Sequence, residues 1–331
     1  MEHLALKKRS ILDSLLVCPS CHGDLKDERE RYVCTACRSH TPVTDGIPRF
    51  VGSLSRGERQ VSRSFDLEHR RYLASRYLHF TPRLIDQWLE EIDLPPDFFK
   101  GKLVLDAGCG SGRWTYAMAL LGARVVAIDL TEAGAEITHQ ATAHMDNVAV
   151  LQANLFQLPF RPGSFELVVS WGVLHHTPDT KKAFARIAPL VKPGGQLYIM
   201  VYEKQNVVKA FCTGLIRLLL WRLPEERRYQ MCQWFLIRNR RLAWALQHLC
   251  FSVYLDPAAE SLERSTLQLG LYDAYSPRYN HRHTCQEVFG WFHDRGFEDT
   301  TLTQPIRFKD PVDVWLAGEC GGSIKVRGVR R

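Results

Sequence analysis

"KLVLDAGCGSGRWTYAMALLGARVVAIDL", residues 102–130, decides the fold. The apolar run from Leu103 to Leu105 reads as a buried strand, and Asp106 to Gly112 crowds three glycines into a turn. A helical run opens near Trp114, and a second strand, "ARVVAIDL", ends near Asp129. Strand, glycine turn, helix and strand make the first half of a nucleotide-binding α/β fold. A dinucleotide fingerprint, G-x-G-x-x-G, starting at Gly108 would need glycine at position 113, where arginine stands. Gly112 completes G-x-G-x-G instead. A turn of this kind presses its backbone against an adenosyl ligand with no pyrophosphate to seat, and Asp129 can accept hydrogen bonds from both ribose hydroxyls.

Three further segments extend the pattern. After "VLDAGCGSGRWT" and "VVAIDL" come "LQANLFQLPF" (151–160), "FELVVSWGVLHHTPD" (165–179) and "LVKPGGQLYIMVY" (190–202). In order and spacing this block, Lys102 to Tyr202, resembles the class I S-adenosylmethionine-dependent methyltransferases. The resemblance implies an α/β, Rossmann-like, seven-stranded, mostly parallel sheet whose last strand runs antiparallel. It implies S-adenosylmethionine as cofactor. Asp106, Gly108, Gly110 and Gly112 would form the cradle, with Asp129 and Leu130 at the ribose and Asn154 and Leu155 beside the adenine. Trp171 would line the methionine end or pack in the core. The family more often carries aspartate where Asn154 stands, and asparagine still supplies an acceptor and a donor. His175 and His176 read as local structure and pocket lining rather than as a general base.

Upstream, Cys18, Cys21, Cys34 and Cys37 follow the spacing C-x2-C-x12-C-x2-C. Two such knuckles complete a tetrahedral four-thiolate zinc shell, which leaves no open position for catalysis. "VCPSC…VCTAC" followed by "TPVTDGIPRFV" resembles the small zinc-ribbon activator subunit that partners RNA and protein methyltransferases. Residues 1–52 are therefore expected to form a zinc ribbon with a structural zinc. Thr41 to Phe65 loses hydrophobic periodicity and reads as a linker, and Phe65 to Glu91 as one or two helices, so 53–100 is linker and helices.

The core is expected over 101–202, a helical insertion and acceptor lid over 203–295, terminal strands over 296–322 and a mobile basic tail over 323–331. The terminal strands are "FEDTTLTQ" and "VDVWLAGEC". Within the insertion, Lys209, Thr213 and Arg217 fall four apart on a helix, leaving an apolar face of Val208, Phe211, Leu215, Leu218 and Leu219. A lid over an apolar acceptor, a homodimer interface or a peripheral membrane contact would each cover such a face. Thr284 and Glu287 form a capping box that opens a helix ending at Gly296. The loop before it offers Tyr279, His281 and His283 as catalytic candidates overhanging the acceptor.

Composition narrows the class. A net charge of +7 over 331 residues fits an acidic substrate, nucleic acid or an anionic surface without selecting among them. Arg217 interrupts the richest apolar run, "FCTGLIRLLLW", so no transmembrane span is expected, and Asp13 breaks the short N-terminal apolar stretch. A soluble, cytoplasmic protein with reduced cysteines follows. The function expected is methyl transfer by in-line displacement to a small hydrophobic or aromatic acceptor. An RNA base methyltransferase is less favoured because no cationic groove is evident. A non-catalytic scaffold is disfavoured by the intact glycine turn and Asp129.

Overall fold

The computed structural model describes residues 2–74, 83–204, 206–238, 272–303, 320 and 322–331. Its elements run α1 (Glu2–Leu12), β1 (Leu25–Asp27), β2 (Arg31–Cys34), β3 (His40–Thr44), β4 (Ile47–Phe50), α2 (Arg56–Ala74), α3 (Leu84–Ile92), β5 (Leu103–Ala107), α4 (Arg113–Leu120), β6 (Arg124–Asp129), α5 (Glu132–Ala141) and β7 (Val148–Ala153). There follow β8 (Phe165–Trp171), α6 (Thr180–Ile187), β9 (Val191–Tyr202), α7 (Val207–Leu220), α8 (Glu225–Arg238), α9 (Cys285–His293), β10 (Phe297–Leu302) and β11 (Ser323–Arg330).

One sheet holds every strand of the described residues, in the order β1-β2-β3-β4-β7-β6-β5-β8-β9-β11-β10. From β4 to β9 every neighbouring pair is parallel, and β11 is antiparallel to both β9 and β10. β5 is buried at every position, as a parallel strand covered on both faces must be, so it reads as an unbroken apolar run. Two apolar clusters cover the faces, one around Leu105, Ile128 and Leu151 and the other around Trp88, Val104 and Val125.

Three expectations are corrected here. Among the described residues the sheet has eleven strands rather than seven, because the N-terminal strands do not form a detached ribbon. β4 lies parallel to β7 with Phe50 opposite Ala153, and Leu16 bridges Phe160. Ile11, Leu12, Leu15 and Leu16 join the main core. The Thr41–Phe65 stretch is not a linker: it supplies β3, β4 and the start of α2, with Pro42 opposite Arg31 and Pro48 opposite Val43 in these short strands.

The basic tail is a strand inside the sheet. Ile324, Val326 and Gly328 turn inward in alternation with Lys325, Arg327 and Val329, and seven residues of β11 pair with β9. This period of two marks a half-buried strand, which the high charge of the segment disguised. A Cβ on Gly328 would come within 2.7 Å of the Phe292 ring, so glycine lets that ring close on the strand. "FEDTTLTQ" does provide β10, whereas residues 312–319 of "VDVWLAGEC" lie outside the described residues.

Candidate active site

The C-terminal ends of the parallel strands meet at a cavity of about 630 Å³. This position is where open α/β sheets hold ligands, and the volume lies within the roughly 300–1,000 Å³ of small-molecule pockets. After β5 the chain turns through Gly108, whose φ is +95° and at which a Cβ would meet Val173 at 2.2 Å. Only glycine fits there, and the turn leaves backbone facing the cavity.

Asp129, at the end of β6, is buried and tightly held. One carboxylate oxygen accepts from the Gly110 N–H at 2.9 Å and the other from the Thr131 N–H at 2.8 Å and the Thr131 hydroxyl at 2.7 Å. Asp106 is buried and accepts the Thr115 hydroxyl at 2.6 Å. Burial pushes its carboxyl up to about 7, helped by Asp129 and opposed by Thr115. After β7, the Asn154 amide donates to Glu58 of α2 at 3.0 Å, and its oxygen accepts from the Phe156 N–H at 2.9 Å.

Asp106, Gly108, Gly110, Asp129, Leu130, Asn154, Leu155 and Trp171 all line this one cavity. Gly112 does not. It stands behind the wall as the N-cap of α4, at φ +82°, against Thr138. Trp171 faces the cavity while its indole N–H donates to Glu91 at 2.6 Å. Glu91 also accepts from the Tyr198 hydroxyl at 2.9 Å and the Lys325 ammonium at 2.8 Å, so three elements are anchored on one carboxylate.

The far wall comes from α2. Glu58, Val61, Phe65 and Glu68 recur along one stripe of the helix and face the cavity, with His69 over Gly110. Ser55 and Glu58 form a reciprocal cap, the Ser55 hydroxyl accepting from the Glu58 N–H at 3.2 Å and the Glu58 carboxylate from the Ser55 N–H at 2.8 Å. That Ser-x-x-Glu spacing was the available signal for this helix. Asp66 ties α2 to α5 by accepting the Ala133 N–H at 2.8 Å.

A group of titratable side chains gathers where β8 and β9 end. Asp273 accepts the Tyr202 hydroxyl and lies 3.0 Å from His176 Nε2, and all three line the cavity. His176 Nδ1 meets the Tyr279 carbonyl at 3.0 Å, and Phe65 packs edge-on against the His176 ring at 5.0 Å. Burial alone would raise Asp273, but His176, Tyr202 and Arg217 outweigh it and hold the carboxylate below its usual range. Glu68 is shifted the other way. Burial, with Asp273 within electrostatic reach, raises it well above the carboxylate range, and its Oε2 has no hydrogen-bond partner.

The three catalytic candidates from the loop stand elsewhere. Tyr279, His281 and His283 are absent from the cavity wall. The Tyr279 hydroxyl reaches Gly57, the His281 N–H is bonded to the His175 carbonyl at 2.9 Å, and the His283 ring packs on Trp291 at 4.7 Å. Asp273 is the side chain this loop sends into the cavity. His175 is wholly buried against Tyr202, and burial holds its pKa well below the usual histidine value.

Residues 105–199 match the methyltransferase domain family. The ubiquinone biosynthesis O-methyltransferase of Albidiferax ferrireducens is 31% identical over 184 residues, 54% of this chain and 71% of that protein. The chain belongs to the S-adenosylmethionine-dependent methyltransferase family. The demethylmenaquinone methyltransferase of Staphylococcus aureus is 35% identical over 101 residues, 30% of this chain and 42% of that protein. In fold, the methyltransferase is similar to phosphoethanolamine N-methyltransferase 2 of Haemonchus contortus, solved with S-adenosyl-L-methionine. The TM-score is 0.50 at 15% identity, covering 84% of this chain and 60% of the other.

Away from the cavity, the four sulfurs of Cys18, Cys21, Cys34 and Cys37 lie within 4.8 Å of one another and can hold a metal ion. Cys18 and Cys37 are 3.7 Å apart and Cys21 and Cys34 are 3.4 Å apart. Among the described residues, no helix is long and apolar enough to cross a membrane.

Proposed function

We propose that the methyltransferase methylates a hydroxyl on a quinone-type aromatic ring, with Glu68 receiving the proton. S-adenosylmethionine supplies a sulfonium methyl: the acceptor oxygen bonds to that carbon as the carbon–sulfur bond breaks, and the hydroxyl proton must leave. The chain's residues divide this work. The Gly108–Gly110 backbone, Asp129 and Asn154 form a polar cradle fitted to an amino-acid tail, a ribose and an adenine edge. Trp171, braced by Glu91, excludes water at the reacting end. Asp273, anchored by Tyr202, is held anionic, while burial, with the Asp273 charge beside it, raises Glu68 well above the carboxylate range, a separation that suits one group to fixed charge and the other to proton acceptor.

The observation that carries the proton-transfer reading is the unpartnered Glu68 oxygen in the cavity wall. The aromatic acceptor is supported by the relatives, which are named for ubiquinone and demethylmenaquinone methylation. The test is incubation with S-adenosylmethionine and a set of demethylated quinols, followed by mass spectrometry for products heavier by one methylene. Cofactor binding without transfer to any quinol would reject the acceptor class.

The same proposal includes a structural zinc on Cys18, Cys21, Cys34 and Cys37. A tetrahedral ion with Zn–S of about 2.3 Å needs sulfurs about 3.8 Å apart, close to the separations present. Elemental analysis should find one zinc per chain.

A further inference from the structure

α7 is built inside out. Its inward stripe is polar: Thr213 is buried, and the Arg217 guanidinium donates to the carbonyls of Ala274 at 2.9 Å, Pro277 at 2.5 Å and Arg278 at 3.0 Å. Its outward face is apolar, with Val207 85% exposed, Phe211 73% and Leu218 58%, continued by Leu215, Leu219 and Trp221. A helix in water normally shows the reverse arrangement, and so broad an exposed face marks a contact surface.

Charge indicates what it contacts. Arg278 stacks over the Trp221 ring at 5.0 Å, and Arg222 and Arg227 are exposed in the turn and helix that follow. Among the described residues, the acidic side chains that open α8 are paired, Glu225 with Arg63 at 3.7 Å and Glu226 with Arg71 at 2.6 Å. An apolar helix face edged by tryptophan and arginine is the signature of a helix lying in a lipid interface, where cations meet anionic headgroups. Through Arg217, the helix is also fastened to the segment that begins at Asp273, in the cavity wall.

We propose that the outward face of α7 docks the methyltransferase on an anionic lipid surface. The full chain is floated with vesicles of phosphatidylglycerol and phosphatidylcholine, and with phosphatidylcholine alone. It should float with the anionic vesicles, less well as salt rises. The double variant Phe211→Glu, Leu218→Glu should partition about tenfold more weakly, with unchanged melting temperature and S-adenosylmethionine affinity, because those side chains face solvent.

No flotation of the wild type, or equal flotation of the variant, overturns the proposal. So does a wild-type dimer that the variant splits while neither floats, which would assign the face to a second copy. A large fall in the variant's melting temperature also overturns it, because the face would then be covered by the chain itself. Neither acceptor nor turnover enters the measurement, so failure of the quinol assignment leaves the result readable.

Discussion

Glu68 and Asp273 share one end of a cavity, and their opposite shifts make each testable by a single atom. Glu68→Gln keeps the shape and removes the proton acceptor. Turnover should fall about 100-fold, the size of a typical general-base contribution, with S-adenosylmethionine affinity retained. Because burial raises Glu68, wild-type kcat should climb with pH well above the ordinary carboxylate range, and the variant should lose that rise. Asp106 carries a different pH signature. Its folded value of about 7 exceeds the unfolded one, so between about pH 4 and pH 7 the unfolded chain ionises first and stability falls as pH rises. At about 1.4 kcal/mol per unit the loss reaches a few kcal/mol, and Asp106→Asn should flatten it in melting curves taken across that window.

At the scale of elements, β4 joins the four-cysteine N-terminal segment to the cavity wall. Phe50 pairs with Ala153, and its carbonyl accepts the Asn154 N–H at 3.4 Å, while the chain runs on directly into α2. Cys34→Ser should release the zinc proposed there and also weaken S-adenosylmethionine binding, by roughly tenfold or about 1.4 kcal/mol in calorimetry. The parallel strands and the glycine turn were legible in the sequence because strands buried on both faces are written as continuous apolar runs. β3 and β4 were not, since Pro42 and Pro48 interrupt them, nor was β11, whose arginines hid its alternation. The clustering of Asp106, Gly108, Gly110, Asp129 and Asn154 at one cavity was legible from the glycine turn and the strand ends, except that Gly112 caps a helix rather than lining the cavity. The far wall was hidden because α2 looks charged throughout, and only its helical spacing sorts Val61, Phe65 and Glu68 onto one side. Density of polar residues pointed to Tyr279, His281 and His283, but backbone pairing with Tyr202 and His175 turns that loop so that Asp273 reaches inward.

For the molecule as a whole, residues distant in sequence share one sheet, and its reach can be measured by truncation. Ending the chain at residue 322 removes Ile324 and Val326, both fully buried, and strips β9 of its antiparallel partner. The shortened protein should lack a cooperative melting transition, by circular dichroism, rather than merely lose a flexible end. The insertion of β11 between β9 and β10 also imposes an order of events during synthesis. Until residue 330 has left the ribosome, β9 offers the edge bearing Leu197, Ile199 and Val201 without its native neighbour, long after the parallel strands can have assembled. The nascent enzyme is therefore exposed to edge-to-edge association from the emergence of β9 until β11 emerges, and slower elongation between residues 203 and 330 should lower the yield of folded protein.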